Sequence, residues 1–454
     1  MIAKEYVIML IKTNRITFFF SILSLSLGLA IAPVSKVFGQ VAGSPKSPVV
    51  ESPKSQKKRT PEERAAEKQR QLALQNEMVE ERQRKFGILP EGDDSELGRE
   101  YQKSYERLRL ATVELNEVQL KYHLATDFSG SFQDQINLKW QEGMHQCYLA
   151  KAEWLDAGAK LFFSDNEKYI TIGESLCEML VADVELDRTD GWLEATKAIV
   201  SSKKFERIDV LKAAILVAFA NTDFDFTEEC LTLSKQLDPQ QPQLLLTTQI
   251  ELLREKWKRE LEIRKQEAEK NDNPRVEFVT TKGRVVVELF EDSAPETVKS
   301  FIFLVERGFY NQKSFFRVEK HVVVQTGCEK GDGTGDAGYT IPSEADRPNH
   351  RDHFRGSLAI ALGTDAKTGE TNSETGSSQI YFPFLPMPNL DGKHTVFGRV
   401  VECQETLGFF RVINLADEKQ RKEEKQPDII LNAKVLRKRS TEYRPKIIAG
   451  KLPK

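Results

Sequence analysis

The residues that could do chemistry in this chain gather around Arg317 and Gln325. An arginine, always charged and planar, stands among Ser314, Phe315, Phe316 and Val318, and an amide follows after Val322, Val323 and Val324. Side chains alternate faces along a strand, so an even separation lets the two meet on one face if no bulge intervenes. Two more runs carry polar and aromatic groups: 378–382 (Ser-Gln-Ile-Tyr-Phe) and 390–394 (Leu-Asp-Gly-Lys-His). No metal set accompanies them. Cys147, Cys177, Cys230, Cys328 and Cys403 are scattered without CxxC spacing, and His321, His350 and His353 lack ligand spacing. Residues 333–338 fit GxGxxG, but Tyr339-Thr340-Ile341-Pro342 follows instead of a helix, so the stretch reads as a turn-rich loop rather than a dinucleotide site.

The elements that must hold these residues begin where Asn271-Asp272-Asn273-Pro274 ends a charged helical run and β-formers take over. Val276, Phe278 and Thr280, then Val285, Val287 and Leu289, alternate with polar neighbours, and Thr281-Lys282-Gly283 reads as the turn of a hairpin. A helix follows, with Ser293 as its cap, Glu296 completing a capping box, and Val298, Phe301, Ile302 and Val305 as one apolar stripe before Gly308. Short strands over 314–318, 322–325, 357–362, 378–382, 395–401 and 428–435 then imply a β-barrel closed at an end by helices.

These motifs, in this order, resemble the cyclophilin-type peptidyl-prolyl isomerases. The hairpin, the helix ending Gly308-Phe309-Tyr310, Phe315-Phe316-Arg317-Val318, Gln325, residues 356–361, Ser378-Gln379 and the run LDGKHTVFG at 390–398 carry the resemblance, over about 273–439. It implies isomerisation of X-Pro bonds with no cofactor and no metal. The barrier to that rotation is about 18–20 kcal/mol because the amide is resonance-stabilised. The resemblance gives Arg317 the catalytic role: its guanidinium donates to the proline nitrogen as that nitrogen becomes pyramidal. It places Val322, Val323, Tyr381, Leu390 and His394 around the proline ring, Gln325 and Gln379 on the substrate face, and Ala361 and Leu362 along the peptide groove. The chain departs from the family at Glu319-Lys320-His321-Val322, where Ile-Pro-Gly-Phe is usual, and at Tyr381 and Leu362. Residues 364–376 read as an insertion beside the groove, and Asn389 stands at the position of the drug-contacting Trp, which implies weak cyclosporin binding.

The rest of the chain reads as delivery. At 454 residues it is too long for one ordinary core, and 30% charged residues with a net charge of −3 exclude a membrane bundle and leave no footprint for nucleic acid. Lys4, Lys12 and Arg15 precede an uncharged run over 16–34, which gives a secretory signal over 1–39, or a membrane anchor if it is uncleaved. Residues 40–60 read as a disordered linker and 61–86 as a solvated helix. Up to 272 the pattern is a string of helices of one to four turns. Trp192, Thr196 and Ile199 match Phe226, Cys230 and Leu233 at an offset of thirty-four, so the region is expected to be a degenerate tetratricopeptide-like repeat. Trp140, Trp154 and Trp192 read as core, 249–270 as a stiff spacer, and 440–454 as a tail. The expected architecture is therefore multidomain: an all-α helical-repeat-like region followed by a cyclophilin-like closed β-barrel with flanking helices. The expected function is that of an exported peptidyl-prolyl isomerase assisting protein folding, acting on proline-containing polypeptides in the periplasm or cell envelope, with a protein partner on the helices. The alternative is a catalytically weak peptide-binding scaffold.

Overall fold

The computed structural model describes residues 88–124, 130–239, 249–364, 368, 370–422, 426–439 and 442–452. The expected signal, linker and first charged helix lie outside these residues. Among the described residues seven helices come first: α1 (Glu96–Leu124), α2 (Gly130–Ser164), α3 (Ile170–Val184), α4 (Leu193–Ser201), α5 (Ile208–Ala220), α6 (Phe224–Leu237) and α7 (Ile250–Lys270). At 29 and 35 residues, α1 and α2 correct the expectation of short helices. Neither stretch contains a proline to interrupt it. Trp154 and Trp192 are buried in the helical core, and the Trp192 indole donates to Asp183, which also receives the buried Lys151 ammonium.

The second half is a curled antiparallel sheet, a half-barrel of nine strands in the order β10-β1-β2-β8-β6-β7-β4-β3-β9. The strands are β1 (Arg275–Thr280), β2 (Arg284–Leu289), β3 (Arg317–Glu319), β4 (Val323–Thr326), β6 (Ser357–Ile360), β7 (Ile380–Pro383), β8 (Val396–Glu402), β9 (Ile413–Asn414) and β10 (Ile430–Arg437); β5 (Tyr339–Thr340) stands apart. Helix α8 (Pro295–Glu306) lays Val298, Phe301, Ile302 and Val305 into the core. The nine-strand ladder is a half-barrel rather than the expected closed barrel: its end strands do not pair, and the gap is spanned by residues 312–315 and 428–430, through the Ser314–Ile429 bridge and backbone bonds from Gln312 to Ile430 at 2.7 Å, Phe315 to Asp428 at 2.8 Å and Ile430 to Lys313 at 2.9 Å.

The start of α8 also differs from expectation. Ala294, not Ser293, occupies the N-cap, and no local side chain caps the helix. The carboxylate of Glu344 arrives from a distant loop and accepts from the N–H groups of Glu296 and Thr297 and from the Thr297 hydroxyl, doing the work of a capping box from outside the helix. The last residues do not trail away as a tail. Tyr443 is buried with its hydroxyl on Glu291, and β11 (Ala449–Gly450) pairs with β5.

Composition changes sharply near Pro274, yet packing does not. Phe219, Ala220, Phe224, Ile250 and Leu253 from the helices share one continuous core with the strands. Helix α7 is therefore not a spacer. It lies on the sheet domain through Trp257, edge-on to Phe354 at 4.7 Å, and through a row of ion pairs to 351–352.

Candidate functional site

Strand alternation divides the half-barrel into two faces. Val318, Val324, Leu358, Ile360, Ile380, Phe382 and Phe397 point into the main core. Their neighbours form the opposite row, since residues paired across strands share a face: Arg317 pairs with Gln325, Gln325 with Tyr381, Tyr381 with Ala359, and Ala359 with Val396. Val323, Tyr381, Ala359 and Val396 join Phe290 in a second apolar cluster, with Val322, Ala361, Met387 and Leu390 at its edge. An apolar cup thus sits beside a guanidinium.

Arg317 and Gln325 meet across the β3–β4 hairpin rather than along one strand. Arg317 Nη1 donates to Gln325 Oε1 at 3.0 Å, while Nε and Nη2 donate to Glu319 at 3.3 and 3.2 Å. Gln325 Nε2 donates to Gln379 Oε1 at 3.0 Å, and Gln379 Nε2 donates to the carbonyls of Gly333 and Gly335, both at 2.9 Å. The glycine-rich loop that mimics a dinucleotide motif therefore anchors a relay of amides ending on Arg317. Its glycines matter locally: Gly333 has φ +87°, and a Cβ on Gly335 would lie 2.7 Å from the Lys330 nitrogen.

His394 closes the cup edge-on to Tyr381 at 5.8 Å. Its Nδ1 bonds the Ile360 carbonyl at 3.1 Å, and burial lowers its pKa to about 4, so the ring is neutral near pH 7. Leu390, on a short 3₁₀ turn (Pro388–Leu390), lines the rim. Of the two expected groove residues, Ala361 lies at the edge of the cup and Leu362 does not. The Ala361 N–H is already bonded to the Gln379 carbonyl at 2.9 Å and is not open to a bound chain. Leu362 packs against the main core instead of the cup, because Gly376 beside it leaves room for its side chain.

Sequence reasoning assigned nothing to His321 or His353, and both matter here. Arg351-Asp352-His353-Phe354-Arg355 joins the cup to the helices. His353 Nε2 accepts from the Tyr381 hydroxyl at 2.8 Å, and its Nδ1–H donates to Asp391 at 2.8 Å; the tautomer follows from the carboxylate partner. Burial alone would raise the Asp391 carboxyl, but His353 and Lys256 outweigh it and hold the group well below the usual range. Lys256 of α7 reaches both Asp391, at 2.5 Å, and Asp352, at 2.9 Å. Arg351, buried over the Phe290 ring, forks onto Glu260 at 2.7 and 2.8 Å. The only signal in the sequence is a charge-dense run before a strand.

The departure at 319–322 has a structural cause. His321 turns the β3–β4 hairpin with φ 58° and is buried against the α3–α4 loop. Its backbone N–H and its Nδ1 both reach Asp187 Oδ1, at 2.9 and 2.7 Å. Arg355 grips the same loop through Asp190, at 2.6 Å. The helical region thus holds the site at three points: the hairpin tip, residues 351–355, and the loop carrying Leu390 and Asp391.

A curled antiparallel sheet with an arginine and a glutamine paired over an apolar cup defines the cyclophilin type of prolyl isomerase. The family model "Cyclophilin type peptidyl-prolyl cis-trans isomerase/CLD" matches residues 275–435. A Helicobacter pylori peptidyl-prolyl cis-trans isomerase is 40% identical over 126 residues, covering 28% of this chain and 71% of that protein. The peptidyl-prolyl cis-trans isomerase-like 1 of Emericella nidulans is 34% identical over 167 residues, 37% of this chain and 98% of that protein. A crystal structure of a Cryptosporidium parvum cyclophilin type isomerase is similar at 25% identity with a TM-score of 0.30, covering 36% of this chain and 97% of that one. The chain belongs to the cyclophilin-type peptidyl-prolyl cis-trans isomerase family, and its enzymatic class is that of the family.

Proposed function

We propose that this isomerase acts outside the cytoplasm on proline-containing segments of exported polypeptides, with Arg317 as the group that favours the twisted amide. The observation that carries the reading is the Arg317 guanidinium, held by Gln325 and Glu319 beside the cup of Val322, Val323, Tyr381 and Leu390. Only an interaction stronger in the twisted state than in the planar one accelerates rotation. A donor fixed in advance gives that difference, because it need not reorganise when the nitrogen gains its lone pair. The basic residues before the uncharged run at 16–34 support export, by cleavage or by anchoring. Among the described residues no helix is long and apolar enough to cross a membrane.

A second reading, peptide capture with slow turnover, is favoured by Glu319. Its carboxylate faces the guanidinium and offsets part of the positive field that the proline nitrogen would meet. Exchange spectroscopy on a short X-Pro peptide with the full chain separates the two. Acceleration that falls at least about a hundredfold in Arg317→Ala supports catalysis. Binding without acceleration supports capture, and an Arg317→Ala variant as active as wild type refutes the assigned role.

A further inference from the structure

Where α2 faces the isomerase domain, three side chains of different chemistry converge: His145 from the helix, and Cys403 and Glu405 from the turn leaving β8. Their ligand atoms all lie within 4.8 Å of one another. His145 Nδ1 is 2.9 Å from Glu405 Oε1 and 3.7 Å from Cys403 Sγ. We propose that His145, Cys403 and Glu405 bind one zinc-class divalent cation, which fastens α2 to the isomerase domain.

The distances suit such an ion. With bonds of about 2.0–2.3 Å, a tetrahedral zinc sets nitrogen and sulfur about 3.6 Å apart and nitrogen and oxygen about 3.3 Å apart. Capture therefore needs shifts of only a few tenths of an ångström at the two measured edges. A thiolate, an imidazole and a carboxylate together favour zinc or cobalt over the hard cations magnesium and calcium. Thiolate and carboxylate would balance the charge of a divalent ion.

The backbone supports the same reading. Cys403 has φ 58°, a left-handed conformation uncommon outside glycine, and this sharp turn brings residues 403 and 405 to one side. The nearby cations are already engaged: Arg284 with Glu277 and Glu402, and Lys282 with Asp428. The His145 side chain is 39% exposed, leaving a path for the ion and a place for water as fourth ligand. Among the described residues this is the only such convergence of three ligands.

The full chain, reduced and stripped with chelator, is titrated with cobalt and then with zinc as competitor. One cobalt per chain is expected, with thiolate-to-cobalt absorption and the visible bands of a tetrahedral ion. Cys403→Ser should abolish the thiolate band, and His145→Ala and Glu405→Gln should each weaken binding tenfold or more. Alkylation of the wild-type chain tests the site without any variant, because Cys403 is the one cysteine of the five that is not buried. Zinc should slow modification of Cys403 tenfold or more. Absence of one-to-one uptake, a thiolate band that survives in Cys403→Ser, or unprotected alkylation at saturating zinc each overturns the proposal.

Discussion

Breaking the contact between Asp187 and His321 should loosen the substrate hairpin from outside the site. Asp187 Oδ1 accepts from the His321 backbone at 2.9 Å and contacts its ring at 2.7 Å, with both side chains at most 5% exposed. Hydrogen bonds to a charged group contribute about 1.5–3 kcal/mol each, and an abandoned buried donor adds its desolvation cost. Asp187→Ala should therefore destabilise the full chain by about 3–5 kcal/mol. His321→Ala removes only the ring and leaves the backbone bond. Both residues sit at positive φ, 61° and 58°, where alanine adds about 1 kcal/mol of strain. That strain enters each single variant and the double variant alike, so it cancels in a double-mutant cycle. Urea denaturation of the four proteins should give a coupling of about 2 kcal/mol. Asp187→Asn, which tolerates the conformation and keeps an acceptor, should recover most of the loss. Exchange spectroscopy should show kcat/KM down about three- to tenfold in Asp187→Ala, through misplacement of Arg317. A coupling below about 0.5 kcal/mol would refute the idea that this contact fixes the hairpin.

Glu319→Gln should raise kcat/KM by about two- to fivefold, because the guanidinium loses a competing charge; a fall would show that the carboxylate positions Arg317 instead. Lys256→Ala leaves the buried carboxylates of Asp391 and Asp352 short of a cationic partner, and should raise KM several-fold and cost about 2–3 kcal/mol in urea denaturation. His394 has a folded pKa of about 4 against 6.5 for the free ring. Between these values the unfolded chain binds more protons, so its contribution is complete above pH 6.5 and is lost as pH falls through about 4. Denaturation midpoints at pH 7 and pH 4.5 should differ by a contribution of roughly 2–3 kcal/mol that is absent in His394→Gln.

The isomerase half was legible because its signals are local. Period-two alternation placed β1 and β2, the apolar stripe of α8 marked its buried face, and the even separation of Arg317 and Gln325 put them on one face of the sheet. What escaped was set by contacts across long stretches of chain. The cap of α8 comes from Glu344, the turn at His321 is fixed by Asp187, and the hydroxyl of Tyr381 is held by His353. None of these partners lies near its target in sequence, so no spacing reveals them. Helix α7 misled for a related reason. Its charges look solvated until Arg351, Asp352 and Asp391 supply opposite charges from another part of the fold.

The five residues 351–355 bind α7 and the α3–α4 loop on one side and the proline cup on the other. Energetic coupling between two sites is reciprocal. A partner that grips α7 more tightly in its docked position would strengthen peptide binding, and a bound peptide would strengthen that partner by the same factor. Prolyl-peptide affinity measured on the full chain would then also report how firmly α7 is docked.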